Sequence, residues 1–119
     1  MGRAALKRGE LWTIAGGGPY GTKPRPGIVI QDDRYGATEA VLVCPVTTYP
    51  GGSPFPRLPL GPSAENGLQV DSHVMLDRLY AIGRAHLGRR VGQLDAADQT
   101  RVDAGLREIL GLGSGSGVT

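Results

Sequence analysis

The chain has 119 residues, enough for one domain that buries roughly two-thirds of its unfolded surface and too few for two. Aromatic residues make up 5%, and the 20 glycines and 9 prolines favour short strands and turns over a helical bundle. The net charge of +2 is mild, but Arg3, Lys7, Arg8, Lys23 and Arg25 concentrate it in the first thirty residues against Glu10 alone. No apolar run approaches the length of a membrane span and no signal-peptide pattern opens the chain, so a soluble cytoplasmic protein is expected.

In chain order, GELWTIA (9–15) predicts a first strand with Leu11 and either Trp12 or Ile14 buried, followed by the turn-rich GGGPYGTKP. The glycines of GGGPYG match a dinucleotide fingerprint letter for letter. That fingerprint needs a helix to follow, and Pro24 and Pro26 forbid one. The same prolines hold Arg25 in a stiff, extended entry to the strand GIVIQ (27–31). A turn at DDRYG then leads into EAVLVCPV (39–46), close enough to pair as a hairpin. Cys44 lies within that apolar run and is expected to be a buried, inert thiol.

The segment TTYPGGSPFP is irregular and leads into a short strand, RLPL. LQVDSHVMLDRLYAIG then alternates through Val74 and Leu76 and shifts phase at Leu79 and Ile82, which predicts one long strand with a bulge or a pair of strands. RAHLGRRVGQ (84–93) predicts one helical turn and a short strand. A helix begins after an Asp95 N-cap, with Val102, Leu106, Ile109 and Leu110 on the face that docks on the sheet. Gly105 inside it signals close approach to another backbone, and Gly111 supplies the stop. Residues 1–112 thus form one domain, and 113–119 a flexible Gly/Ser tail. Metal chemistry finds no support in the spacing of His73 and His86, neither of which has a partner ligand nearby.

Several segments in order, RGELW, the R-P-x-I-V-I run at 25–30, P-V-T at 45–47, SHVMLDRLYAIG and HLGRRVGQL before the final helix, resemble the MazF/PemK family of toxin endoribonucleases. The resemblance runs from about Arg8 to Leu112. It implies a β-rich α+β fold, a small SH3-like, barrel-like antiparallel sheet with a packed C-terminal helix. It also implies a homodimer, a MazE-like antitoxin as partner, and cleavage of single-stranded RNA without a metal or other cofactor.

In that pattern Arg25 and Thr47 are the catalytic residues. Lys23, Thr48, Tyr49, Phe55, Arg57 and Asp77 are expected to contact RNA or support the site, with Tyr49 or Phe55 stacking an unpaired base. Where relatives often carry serine after the catalytic threonine this chain has Thr48, and Met75 stands where some place an arginine. Two other readings of the same fold are a gyrase-binding toxin of the CcdB type and a non-catalytic RNA-binding domain. The first depends on a C-terminal tryptophan, whereas the sole tryptophan here is Trp12.

Overall fold

The computed structural model describes residues 5–15, 24–48 and 55–113. Their strands are β1 (Glu10–Ile14), β2 (Arg25–Val29), β3 (Ala40–Thr47), β4 (Arg57–Leu60), β5 (Ser72–Met75), β6 (Tyr80–Gly83) and β7 (Leu87–Gln93), followed by one helix, α1 (Ala96–Leu110). All seven strands join one sheet in the order β4-β5-β3-β2-β1-β7, with β6 also paired to β3. Every pairing is antiparallel.

β3 is the strand that β2, β5 and β6 share. Its residues 41 and 43–47 are buried, and Val and Cys at its centre suit a strand covered on both faces. On one edge it pairs with β2, placing Gly27 opposite Pro45, Ile28 opposite Cys44 and Val29 opposite Val43. On its other edge β6 pairs with Ala40 to Val43, and β5 with Val46 and Thr47. Between β5 and β6 the chain makes a 3-10 turn, Leu76–Arg78. The phase shift read as a bulge is therefore a helical turn that lets two short strands share one long partner.

Alternation separates the two faces of the sheet. Leu11, Ile28, Cys44, Val46 and Val74 pack with Val102 and Leu106 of α1 in one core. Ile14, Val29, Val41, Val43 and Ile82 form a second core with Leu6, flanked by Trp12, Tyr80 and Leu87. β1 thus buries Leu11 on one side and Ile14 on the other. Ile14 also crosses Gly27: a Cβ there would collide with Ile14 Cδ1.

The helix starts as the sequence predicts. Asp95 Oδ1 accepts from the Asp98 N–H at 2.8 Å, and Gly111 ends the helix in the left-handed region at φ 70°, its N–H bonding the Arg107 and Glu108 carbonyls. Two details differ from expectation. Leu110 is 52% exposed, because the last turn runs on beyond the core residues Val102 and Leu106. The neighbour of Gly105 is no backbone but the side chain of Leu76, whose Cδ1 a Cβ would strike, with Phe55 Cε2 at 3.6 Å from that Cβ.

Arg8 fastens the start of the described chain to both layers. Its Nε donates to the Ile30 carbonyl at 2.8 Å, its Nη1 pairs with Asp103 on α1, and its backbone N–H donates to Asp33 Oδ1. The loop between β4 and β5 is organised by Asn66, 1% exposed, whose Oδ1 accepts from the Ser63 and Leu68 N–H groups while Nδ2 donates to the Gly61 carbonyl.

Replacing Gly105 with alanine sets a helix-propensity gain of about 1 kcal/mol against overpacking of roughly 1–3 kcal/mol. Leu76 is fully buried and has little room to yield, so the steric term wins. Urea denaturation is expected to show Gly105→Ala less stable than wild type, and Leu76→Val to restore part of the loss in the double variant. Burial pushes the Cys44 thiol up to about 12, with Arg8 opposing the shift weakly. Little thiolate then exists near neutrality, so labelling by a disulfide reagent at about pH 8 should be slower than in concentrated guanidinium by roughly 100-fold or more.

Candidate active site

Arg25 opens β2 and is exposed, as a residue between two prolines at a strand mouth should be. Thr47 closes β3 and is 7% exposed. The β2–β3 register, Gly27 opposite Pro45, continued by two residues sets Arg25 opposite Thr47. On the other edge of β3, Thr47 is opposite His73 of β5. Directly opposed residues in a sheet share a face. Arg25, Thr47 and His73 therefore form a row across three adjacent strands, with Ile14 beside Arg25 at one end and Pro59 beside His73 at the other.

The row lies on the face away from α1. Ile28, Cys44, Val46 and Val74, the alternates of these positions, all belong to the helix-side core. With α1 on the opposite face, the row has an exposed guanidinium, a hydroxyl at its floor and a half-buried imidazole. A guanidinium fork and a hydroxyl suit a phosphate, since both donate hydrogen bonds to anionic oxygens.

Two residues back along β3, a second row on this face holds Gly27, Pro45, Met75 and Arg57. Gly27 is opposite Pro45 and Arg57 opposite Met75, and the β3–β5 register continued by one residue on each strand brings Met75 beside Pro45. Arg57 is part-buried and held by Asp77, with Nε 3.7 Å from Oδ1, while the other carboxylate oxygen lies 3.9 Å from Arg78 Nε. Asp77 sits in the 3-10 turn after β5 and orients a cation at the margin of the site. Gly27 is buried, and its missing side chain leaves the space that Ile14 fills.

The remaining sequence candidates divide. Thr48 is exposed immediately after the end of β3. Phe55 is 43% exposed, but its ring packs towards Gly105 on the helix side and is not brought into the row. Lys23 and Tyr49 lie outside the described residues. Arg8, counted with the basic N-terminal quarter, is engaged with Asp103 and Ile30 on the helix side. Among the described residues no three His, Cys, Asp or Glu side chains gather as a metal site would require, and no helix is long and apolar enough to cross a membrane. Trp12 is half-buried, with Nε1 donating to Glu10 at 3.1 Å. Sequence reasoning missed His73; its signal was alternation within SHVM, which places it on the face opposite Val74.

The family model for PemK-like, MazF-like toxins of type II toxin-antitoxin systems matches residues 7–110. A probable endoribonuclease MazF of Mycolicibacterium smegmatis is 39% identical over 107 residues, 90% of this chain and 98% of its own. Endoribonuclease MazF6 of Mycobacterium tuberculosis is 30% identical over 112 residues, with the same coverage. Among solved structures, a mycobacterial endoribonuclease in complex with its cognate antitoxin superposes with a TM-score of 0.72 at 22% identity, over 92% of this chain and 96% of that one. A MazE-MazF structure from Deinococcus radiodurans gives a TM-score of 0.70 at 25% identity, over 92% and 98%. With the sheet, the single helix and the ordered motifs accounted for from residue 7 to residue 110, the chain belongs to the PemK-like, MazF-like toxins of type II toxin-antitoxin systems.

Proposed function

We propose that the chain is an endoribonuclease acting as the toxin of a toxin-antitoxin pair, cleaving single-stranded RNA at short sequences in the cytoplasm. The observation that carries this reading is the β2–β3 register, which continued by two residues sets Arg25 opposite Thr47 on the sheet face away from α1. Relatives named as endoribonucleases, matched over nearly their whole length, support it.

The chemistry asks little of the protein beyond charge and position. The 2′-oxygen of one ribose bonds to the adjacent phosphorus, the P–O5′ bond breaks, and the products end in a 2′,3′-cyclic phosphate and a 5′-hydroxyl. Because the nucleophile belongs to the RNA, neither a metal-bound hydroxide nor a protein nucleophile is needed. Negative charge builds on the nonbridging oxygens in the transition state, where a preorganised guanidinium is worth most. Arg25 supplies it, and Thr47 supplies a hydroxyl donor at the floor of the site. Arg57, held by Asp77, and Thr48 bind the flanking backbone. Lys23 adds charge before Arg25, and Tyr49 stacks a base beside the cleaved bond.

An antitoxin of MazE type is the proposed protein partner, in keeping with the complexed structures. An acidic, extended segment would compete with RNA for Arg25 and its neighbours. The chain is proposed to work as a homodimer. The exposed Leu42, Leu110 and Leu112, beside the groove between the helix end and the sheet, offer apolar surface for a second copy.

The reading is tested by incubating the purified protein in EDTA with a long unstructured RNA and mapping the 5′ ends of the products. Cleavage at a recurring short sequence, blocked by a 2′-deoxy substitution at the nucleotide before the cut, is expected; intact RNA would remove the assignment. Arg25→Ala should lower kcat/KM by roughly 100-fold or more with folding unchanged, since the side chain is exposed. Thr47→Val, which keeps the shape and removes the hydroxyl, should cost about five- to tenfold, the worth of one ordinary hydrogen bond. An unchanged rate in that variant would make Thr47 a packing residue.

A further inference from the structure

We infer that His73 is the general base of the cleavage reaction, the group that takes the proton from the RNA 2′-hydroxyl. The inference rests on the endoribonuclease reading and assigns its proton-accepting role, which that reading leaves without a residue. Attack by the 2′-oxygen requires its proton to go somewhere. Of the three side chains in the row, a guanidinium stays protonated at every working pH and a threonine hydroxyl is no base, so the imidazole alone can accept a proton.

Its position suits the task. Thr47 and His73 are direct cross-strand partners, and Arg25 stands opposite Thr47 on the other side. With strands about 4.8 Å apart, the backbones of Arg25 and His73 are separated by roughly 10 Å, with the Thr47 hydroxyl between them. A phosphate seated on Arg25 and Thr47 would extend its 3′-linked ribose along the row towards the imidazole. His73 is half-buried, so part of it stays open to substrate. Asp77, in the turn that follows β5, is shared between Arg57 and Arg78.

The charged groups around His73 come from β4, from β2 across β3, from the chain on either side of β5, and from the helix. Arg57 is on β4, two residues from Pro59, which is the register partner of His73. Arg25 is across β3, which carries no charged residue of its own. Asp71 precedes β5, and Asp77 with Arg78 follows it. From the helix side, Arg101 donates to the Pro59 carbonyl at 2.7 Å and pairs with Asp98. In the step itself, neutral imidazole removes the 2′-hydroxyl proton as O2′ bonds to phosphorus. The P–O5′ electron pair leaves with O5′, which takes a proton from water, and the imidazolium returns its proton to solvent.

The test uses wild type, His73→Gln and His73→Ala on one mapped RNA site, with folding checked by circular dichroism. Wild-type kcat/KM is expected to rise with pH to a plateau through a single ionisation. His73→Gln should lose roughly 10²–10⁴-fold at the plateau, the usual range for general-base catalysis, and should lose the acidic limb. Added imidazole should restore part of the activity of His73→Ala and leave Arg25→Ala unchanged. A folded His73→Gln enzyme within about threefold of wild type overturns the inference. So does a loss that keeps the wild-type acidic limb and is not rescued by imidazole, since that marks a packing role. If wild type itself leaves RNA intact, the endoribonuclease reading fails first; if wild type cleaves and only Arg25→Ala is impaired, His73 alone is misassigned.

Discussion

Every functional geometry in this protein depends on one hydrogen-bonding constraint, the shared use of β3. Eight residues long, that strand cannot be covered on its second edge by β5 or β6 alone, each four residues long. The solution is the 3-10 turn Leu76–Arg78, which ends one pairing and allows another to begin further along the same strand. The turn anchors itself by burying Leu76 completely against α1 at Gly105. Helix docking and strand pairing are thereby coupled through one leucine.

The two faces of the sheet have different tasks. One carries a single helix on a core of branched aliphatics, where burial of each Val, Leu or Ile contributes about 1.5–3 kcal/mol. The other divides between a small core and a polar row at the ends of β2, β3 and β5. Ion pairs contribute mainly position. Asp77 with Arg57 and Glu10 with Arg90 are partly exposed pairs of the kind worth at most about 1 kcal/mol, and their value lies in fixing long side chains at the margins of the uncovered face. Arg8 differs, because one guanidinium satisfies a strand-end carbonyl and a helix carboxylate together.

Much of this was legible in the sequence, and the reasons are local. Runs of β-branched residues bounded by Pro and Gly marked β2 and β3, and the Asp95 cap and Gly111 stop marked α1, because each signal is contained in a few neighbouring residues. The failures are all non-local. The phase change after Val74 shows that alternation breaks there, but a bulge and a 3-10 turn break it alike, and only the pairing of β3 with both β5 and β6 decides. Gly105 reported a close neighbour without saying which. Leu110 has the right spacing for the docking face, yet the spacing does not say where the core beneath it stops. His73 was weighed along the chain, where it has no ligand partner, while its real neighbours, Thr47 and Arg25, come from cross-strand register. Phe55 carried the right chemistry for stacking, and its position against the helix depends on how β4 and α1 meet.

The link between the first and last elements has a consequence for how the molecule comes into being. β1 lies between β2 and β7 in the sheet, and Arg8 reaches Asp103 across 95 residues of sequence. Contacts of such separation require loop-closure entropy to be overcome before they return any stabilisation, which places the fold among the slower topologies. The polar row is already present in the chain by residue 73, but the strand that flanks β1 and the helix that closes the main core come afterwards. A leading fragment that stops before β7 and α1 lacks the partner of β1 and the cover of the main core, so the row gains its full support only when nearly all of the chain is free to fold.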